Sequence, residues 1–517
     1  MKSFFLIAAV LAALPPVDFE SAVLLLSGAS CLEDLDEDTL ERFRDLELRP
    51  VELNGASRSR LLSCGLFNAF QVASFMDWKD RSGDILSYTE LGLLDGFSPE
   101  IAEALRLFTR LESGAPPGAR SSGRFHNDLI LRASVKENDG LAAAAGLRWK
   151  ESIGDRAELN WATRSSYGDP AFGIGTVSAA YYGRRYLGKL VLGHFNARFG
   201  QGLAMWSGMS LSRYSSINSF RRNGSGFSPT GSFSPSHCGV AADFDLGKWG
   251  VGAAYSFTEK QAMAAVSWTG RRLSLGAFAG GRSASVDFKL GLKNTSLFGE
   301  LAWVGKLSAI GGVIWTPAYQ RNYGVLLSWN DGSPEFAAAV GTKQLDCVFA
   351  LTAKQLRCTV KYSLKTVRLG SFELSPVFRA AVRKTDKWRL ESRGELQFSS
   401  GPWKLNSRLD FVGCKGLSCL GNLEAGYSGE KLVLWLRGTL FRVDNWDDRI
   451  YVYERDAPGR FNVPAYYGRG WSASLTGTWK CSRRSTLYLR VSYLEYPWMT
   501  VNKPSKAEVK LQYALKL

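Results

Sequence analysis

Ala507-Glu-Val-Lys-Leu-Gln-Tyr-Ala-Leu-Lys-Leu517 is the stretch whose reading decides the fold. Its odd positions, Ala507, Val509, Leu511, Tyr513, Leu515 and Leu517, are apolar or small. The even positions between them are Glu508, Lys510, Gln512, Ala514 and Lys516. A period of two puts these sets on opposite faces of one extended strand. The stretch is as long as the ~9–11 residues a tilted strand needs to cross a bilayer core. A last strand of this kind must meet the first one, because lipid offers an open sheet edge no hydrogen-bond partner. The stretch therefore predicts a transmembrane β-barrel that closes on itself.

The same template recurs upstream. From Lys387 to Phe398 one face carries Trp388, Leu390, Ser392, Gly394, Leu396 and Phe398; the other carries Lys387, Arg389, Glu391, Arg393, Glu395 and Gln397. Trp403, Leu405, Ser407, Leu409 and Phe411 alternate with Lys404, Asn406, Arg408 and Asp410. Turn signals separate such runs, among them Asn138-Asp-Gly140, Asn330-Asp-Gly332 and Ser428-Gly429. Counting them predicts a mainly β chain: a large antiparallel barrel of about 24 strands, within a range of roughly 20–26, over residues 125–517. A soluble sandwich with that many one-sided strands would leave too many edges to cover.

Composition agrees. The chain has 517 residues with 53 Gly and 12% aromatics, yet its mean hydropathy is only −0.11. A barrel needs apolar residues only at alternate positions, whereas a membrane helix needs ~20 in a row. Met1–Leu14 reads as a secretory leader: Lys2 is the basic start and Phe4–Leu14 the apolar run. The expected signal peptide lies within residues 1–22, cut between Ala12 and Ala22. Secretion and a barrel together place the protein in the bacterial outer membrane, with lipid as its first partner. The eight cysteines form no C-x-x-C pair and only three histidines accompany them, so neither a metal site nor a cofactor is expected. A Cys31–Cys64 disulfide would be compatible with an oxidising periplasm.

The net charge of +16 hides a split. Residues 30–112 hold 17 Asp/Glu against 9 Lys/Arg, while residues 113–517 carry a net +25. The boundary is the breaker-rich linker of residues 113–124, within Glu112-Ser-Gly-Ala-Pro-Pro-Gly-Ala-Arg-Ser-Ser-Gly123. Residues 30–112 read as helical. Leu32, Leu35, Leu40, Phe43 and Leu46 recur near helical spacing. Asn54 is a candidate N-cap for Ala56–Leu62. Phe70 to Trp78 form an amphipathic helix that Arg81-Ser-Gly83 ends. A short helix follows around Tyr88–Leu94. Ser98 and Pro99 open a last helix running to about Leu111.

Helix, tight turn, helix, repeated twice, resembles a tandem helix-hairpin-helix domain of the competence-protein type. The matching residues are Leu53-Asn54-x-Ala56, Gln71–Trp78, Arg81-x-Gly83, Tyr88-x-Glu90-Leu91 and Leu94-Asp-Gly-Phe97. The resemblance implies that each hairpin aims backbone N–H groups at a DNA phosphate from a helix N-terminus. Carried over, it gives hairpins Cys64–Asn68 and Leu94–Ser98, with Gly65, Leu66, Asn68, Gly96, Phe97 and Ser98 as contact positions. Arg58, Arg60, Lys79 and Arg81 are the nearby basic residues. Of the glycines that let phosphate approach a family hairpin, only Gly96 stands here; Leu66, Asn68 and Ser98 occupy the other positions. A domain with a net −8 repels a polyanion. Two partners therefore stay open: DNA, or a protein surface such as a periplasmic partner or the barrel's own basic rim.

The inward faces of the strands favour Lys387, Arg389, Arg393, Lys404, Arg408 and Lys510. This basic set would guide an anionic cargo, or pair with Glu391, Glu395, Asp410 and Glu508 as packing. Phe199–Ser236 and Asp447–Gly470 do not read as strands and are expected to fold into the lumen or over its mouth. Both resemble segments of a group of Bacteroidota-type outer-membrane proteins that join a helix-hairpin-helix domain to a barrel. No Gly-x-Ser-x-Gly, Walker or zinc-ligand pattern occurs, so no catalytic residues are assigned and the protein is not expected to be an enzyme. The expected function is transport across the outer membrane, DNA uptake or export included, with a periplasmic helical module. The alternative is a structural or assembly barrel whose module binds protein.

Overall fold

A computed structural model describes residues 18–111 and 125–517, apart from residues 139, 155, 170, 184–185, 209–211, 233–236, 319, 331 and 500–504. Residues 1–17, which hold most of the expected leader, and residues 112–124, which include the expected linker, lie outside the described residues.

Among the described residues 24 antiparallel strands close into one barrel. The last of them, Lys506–Lys516, is the strand that closes it. On one side it pairs with Ser485–Glu495, Leu511 opposite Leu489. On the other it pairs with the first strand, Phe125–Glu137, Leu511 opposite Ala133. Its odd positions face outward, and Leu511 is 43% exposed. Its even positions face inward, and Gln512 is buried. The rule holds around the wall. Leu327, Leu390, Leu409, Leu436 and Leu440 all stand exposed on the outer surface. Apolar surface on this scale needs a lipid partner. Exposed tryptophans fall near strand ends: Trp249, Trp403 and Trp479 at one rim, Trp303, Trp329 and Trp388 at the other. Two aromatic girdles mark the two membrane interfaces. No helix among the described residues is long and apolar enough to cross a membrane.

The two ends of the barrel differ. Where the first strand begins and the last one ends, connections are short: residues 247–248, 293–294 and 401–402. At the opposite end they include the stretches 199–236 and 444–467. Short turns on the periplasmic side and long loops outside is the arrangement of outer-membrane barrels.

Among the described residues the N-terminal region builds six α-helices: α1 Phe19–Ser27, α2 Glu37–Leu48, α3 Arg58–Ser63, α4 Ala69–Ser82, α5 Tyr88–Leu91 and α6 Pro99–Leu105. Side-chain caps start most of them. Asp18 accepts from the Ser21 N–H, Asp36 from Thr39, and Ser98 from Ile101. Gly83, at φ +81°, ends α4 where the sequence places the stop. Two local expectations change. Ser57, not Asn54, caps α3; the Asn54 side chain is buried and bonds both backbone groups of Ile85. The last helix stops at Leu105, because Thr109–Arg110 turn to pair in parallel with Val51–Glu52. A single core holds Phe43, Leu53, Leu61, Val72, Phe75, Leu91, Leu105 and Phe108. Helix α1 belongs to that core: Ala22 and Val23 are fully buried, and the Phe19 ring meets Phe108 edge-on at 5.9 Å. The helical body therefore reaches ahead of position 30, to Asp18 at least, and overlaps the end of the expected leader of residues 1–22.

Candidate functional site: a lumen closed by the helical domain

The helical domain lies inside the barrel, and its contacts run around the wall. Helix α2 presents Glu41 and Asp45 to the first two strands. One guanidinium nitrogen of Arg148 meets Glu41 at 2.7 Å and the other meets Asp45 at 2.7 Å. Arg132 adds a contact to Glu41 at 3.4 Å and Lys150 one to Asp45 at 3.6 Å. Arg148 and Glu41 are almost fully buried, so this is a desolvated, bidentate bond. A quarter-turn on, α3 reaches the next strands. Arg60 pairs with Glu158 at 3.4 Å, the Ser59 hydroxyl donates to Asp245 at 2.9 Å, and Arg58 donates to the Gly247 carbonyl at 3.1 Å. Helix α4 lays Phe70 over Gly291, where a Cβ would meet the ring at 3.2 Å. Gln320 donates to Glu100 of α6 at 2.7 Å. On the far wall Lys361 donates to the Ser30 carbonyl at 3.1 Å, and Glu33 pairs with Arg393 at 3.4 Å and with Arg408.

Electrostatics agree with this geometry. Burial works against a charged Glu33, but the Arg393 and Arg408 guanidiniums outweigh it and hold the carboxyl well below the usual range. Asp45 behaves the same way: burial opposes its charge, and Arg148 and Lys150 prevail. At Glu41 burial wins and the carboxyl is pushed up in spite of Arg148 and Arg132. Burial also pushes the Cys31 thiol up to about 12. Cys31 and Cys64 are both free thiols.

The long loops come in from the opposite end and meet the domain halfway. Residues 199–206 are held by the wall carboxylate Glu300, which accepts from the backbone N–H groups of Gln201 at 2.6 Å and Leu203 at 3.0 Å. The Ser232 hydroxyl donates to Asp38 of α2 at 2.6 Å. In the second loop Asp456 pairs with Lys510 of the closing strand at 2.6 Å. The Tyr453 N–H donates to Glu33 at 3.2 Å, and the Tyr453 and Phe461 side chains pack on the helical core. Domain and loops together fill the lumen from both ends.

No protein-family model matches the chain, and no curated protein matches it either. Solved structures do. The outer membrane protein opdK from Pseudomonas aeruginosa is 10% identical over 76% of this chain and 99% of its own, with a TM-score of 0.31. A BenF-like porin from Pseudomonas fluorescens Pf-5 is 11% identical over 76% and 99%, at a TM-score of 0.31. The P pilus usher (PapC) translocation pore is 8% identical over 76% and 99%, at a TM-score of 0.40. These overlaps are too loose to carry an argument. The barrel rests on its own ring of strand pairings.

The residues singled out in the sequence take the following places. The hairpin positions Leu66 and Asn68 are buried. The Asn68 N–H donates to the Gln71 side chain and Asn68 accepts from the Gln71 N–H, so α4 caps itself. Gly65 and Gly96 both have positive φ, and the two hairpins touch: Gln71 donates to the Gly96 carbonyl at 2.9 Å, and Phe67 and Phe97 sit 6.2 Å apart. Ser98 caps α6. Arg58 and Arg60 face the barrel wall. Lys79 donates to the Asn54 carbonyl and Arg81 pairs with Asp77 on its own helix. In the lumen, Arg393 and Arg408 hold the domain, while Lys387, Arg389 and Lys510 hold the second loop. Lys404 is half-buried near the opposite rim. The wall partners Arg132, Arg148 and Lys150 and their acids Glu41 and Asp45 were not singled out. The charge contrast between the two regions was their one signal in the sequence.

Proposed function

We propose that this protein is an outer-membrane transport barrel kept shut by its own helical domain, which enters from the periplasmic end. The observation that carries this reading is the charge match. Acids of the helical body, Glu33, Glu41 and Asp45, meet basic residues at two separate places on the lumen wall. Opening requires the domain to leave or to shift. Its departure uncovers Arg132, Arg148, Arg393 and Arg408 on one continuous wall, a surface that favours an anionic cargo. Nucleic-acid contact by the domain, DNA included, belongs to the released state. Arg58 and Arg60 are turned to the wall until then.

The test locks the domain in place. A Cβ at Gly188 would touch the Ser59 hydroxyl, so S59C/G188C places two thiols within bonding range. Oxidised, this variant should stay closed in single-channel recordings; reduced, it should open at least as often as the wild type, since the Ser59–Asp245 bond is lost. Equal conductance in both states, with the bridge confirmed by mass spectrometry, would show that the domain is not the gate.

A further inference from the structure

A second site lies at the loop end of the lumen, beside the helical domain. Three neighbouring strands, Leu356–Ser363, Phe372–Lys384 and Trp388–Ser400, place arginines directly across from each other: Arg357 opposite Arg383, and Arg383 opposite Arg389. Like charges at directly paired positions repel. One carboxylate serves the row. Glu391 pairs with Arg389 at 2.7 Å and with Arg383 at 3.4 Å. Arg357 is only 6% exposed, and its Nε bonds the Thr359 hydroxyl at 3.3 Å. Its Nη2 and the Arg383 Nε are buried with no partner among the described residues. Buried unpaired donors on charged groups are costly and call for an acceptor.

Two members of the row, Arg383 and Arg389, line a cavity of about 650 Å³; Arg357 stands behind Arg383, outside that lining. The loop residues Asp447–Tyr451 roof it and Cys31, Glu33 and Asp34 of the helical domain form its floor. That volume suits a small ligand. The other carboxylates in the cavity have partners. Glu33 and Asp410 meet Arg393, Asp447 meets Lys387 and Lys415, and Asp34 accepts from Ser30 and Cys31. Asp386 stands exposed at the rim. The row therefore keeps more positive charge than Glu391 can answer, in a wall that presents forked donors. Forked guanidiniums match carboxylate and phosphate oxygens two at a time.

We propose that Arg383 and Arg389, backed by Arg357, bind a small dianion, a dicarboxylate or a phosphate group, entering from the loop end. This site names a solute class for the transport reading. Binding is measured at equilibrium, so it does not depend on the domain ever moving. Full-length protein purified in detergent is titrated calorimetrically at low salt with succinate and, separately, with inorganic phosphate. Saturable binding of either probe is expected, weakened at least about tenfold by R383Q and less by R357Q. K431Q, in an exposed turn outside the lumen, should leave it unchanged. E391Q removes the competing acid and should tighten binding several-fold, a gain that a misfolded barrel cannot mimic. Oxidised S59C/G188C should bind as the wild type does, which separates this site from the gate. Binding of neither probe, or equal losses in K431Q and R383Q, would overturn the assignment.

Discussion

Arg148 is where the closed state should be easiest to break. Its guanidinium holds Glu41 and Asp45 of α2 at 2.7 Å each from the second strand of the barrel. Breaking a buried ion pair by removing one partner costs about 3–5 kcal/mol, because a charge is left without compensation. Arg132 at 3.4 Å from Glu41 and Lys150 at 3.6 Å from Asp45 remain as weaker partners. The lower end of that range, about 3 kcal/mol, is therefore expected for Arg148→Gln. That is on the order of a hundredfold in the ratio of open to closed channel. Asp45→Asn should cost about 1.5–2 kcal/mol, roughly tenfold, since Arg148 keeps Glu41. The double variant should open hardly more than Arg148→Gln alone, because the second change removes an acid that has already lost its main partner. The coupling in this cycle should thus be about 1.5 kcal/mol. Open probability in planar bilayers measures all three, with gel mobility before and after heating as the check that the barrel is folded. Strictly additive effects, or a folded Arg148→Gln barrel as silent as the wild type, would refute the reasoning.

Acidification should open the channel. Glu33 and Asp45 lie below their ordinary values when docked, so their contribution is complete above the normal carboxylate range and is lost as pH falls through the depressed values. Glu41, pushed up by burial, works in the other direction and softens the onset. Conductance should therefore stay flat from neutral pH down to about 5 and rise below about 4; a rise confined to alkaline pH would contradict this. Leu511→Arg puts a charge on the lipid face of the closing strand and should cost about 2–4 kcal/mol of barrel stability. Less folded protein in the membrane fraction is the expected readout, whereas Leu511→Val should be near wild type.

Much of the wall can be read in the sequence because its rule is local. A strand in lipid must alternate, and a one-residue slip would turn every side chain to the wrong medium. Ala507–Leu517 and Lys387–Phe398 follow that rule, and the structure places each of their faces accordingly. The helix start at Ser98 and the stop at Gly83 are equally local. Asn54 misleads because its partner, Ile85, is 31 residues away, a tertiary bond that outcompetes a capping role. The last helix is cut short for the same reason, by the pairing of Thr109–Arg110 with Val51–Glu52.

Charge composition showed that an acidic module and a basic barrel suit each other, but not which acid meets which base. Glu33 lies 375 positions from Arg408, and a Coulomb preference has no sequence period to reveal it. Nor could spacing show that Arg357, Arg383 and Arg389 form one row, since strand register decides it. What the sequence by itself determined is what short-range sterics and the two-residue period dictate: strands, turns, caps and a membrane-facing wall. Only the tertiary structure decided that the helical domain sits within that wall, because closing the barrel brings distant charges into one low-dielectric space where they must pair.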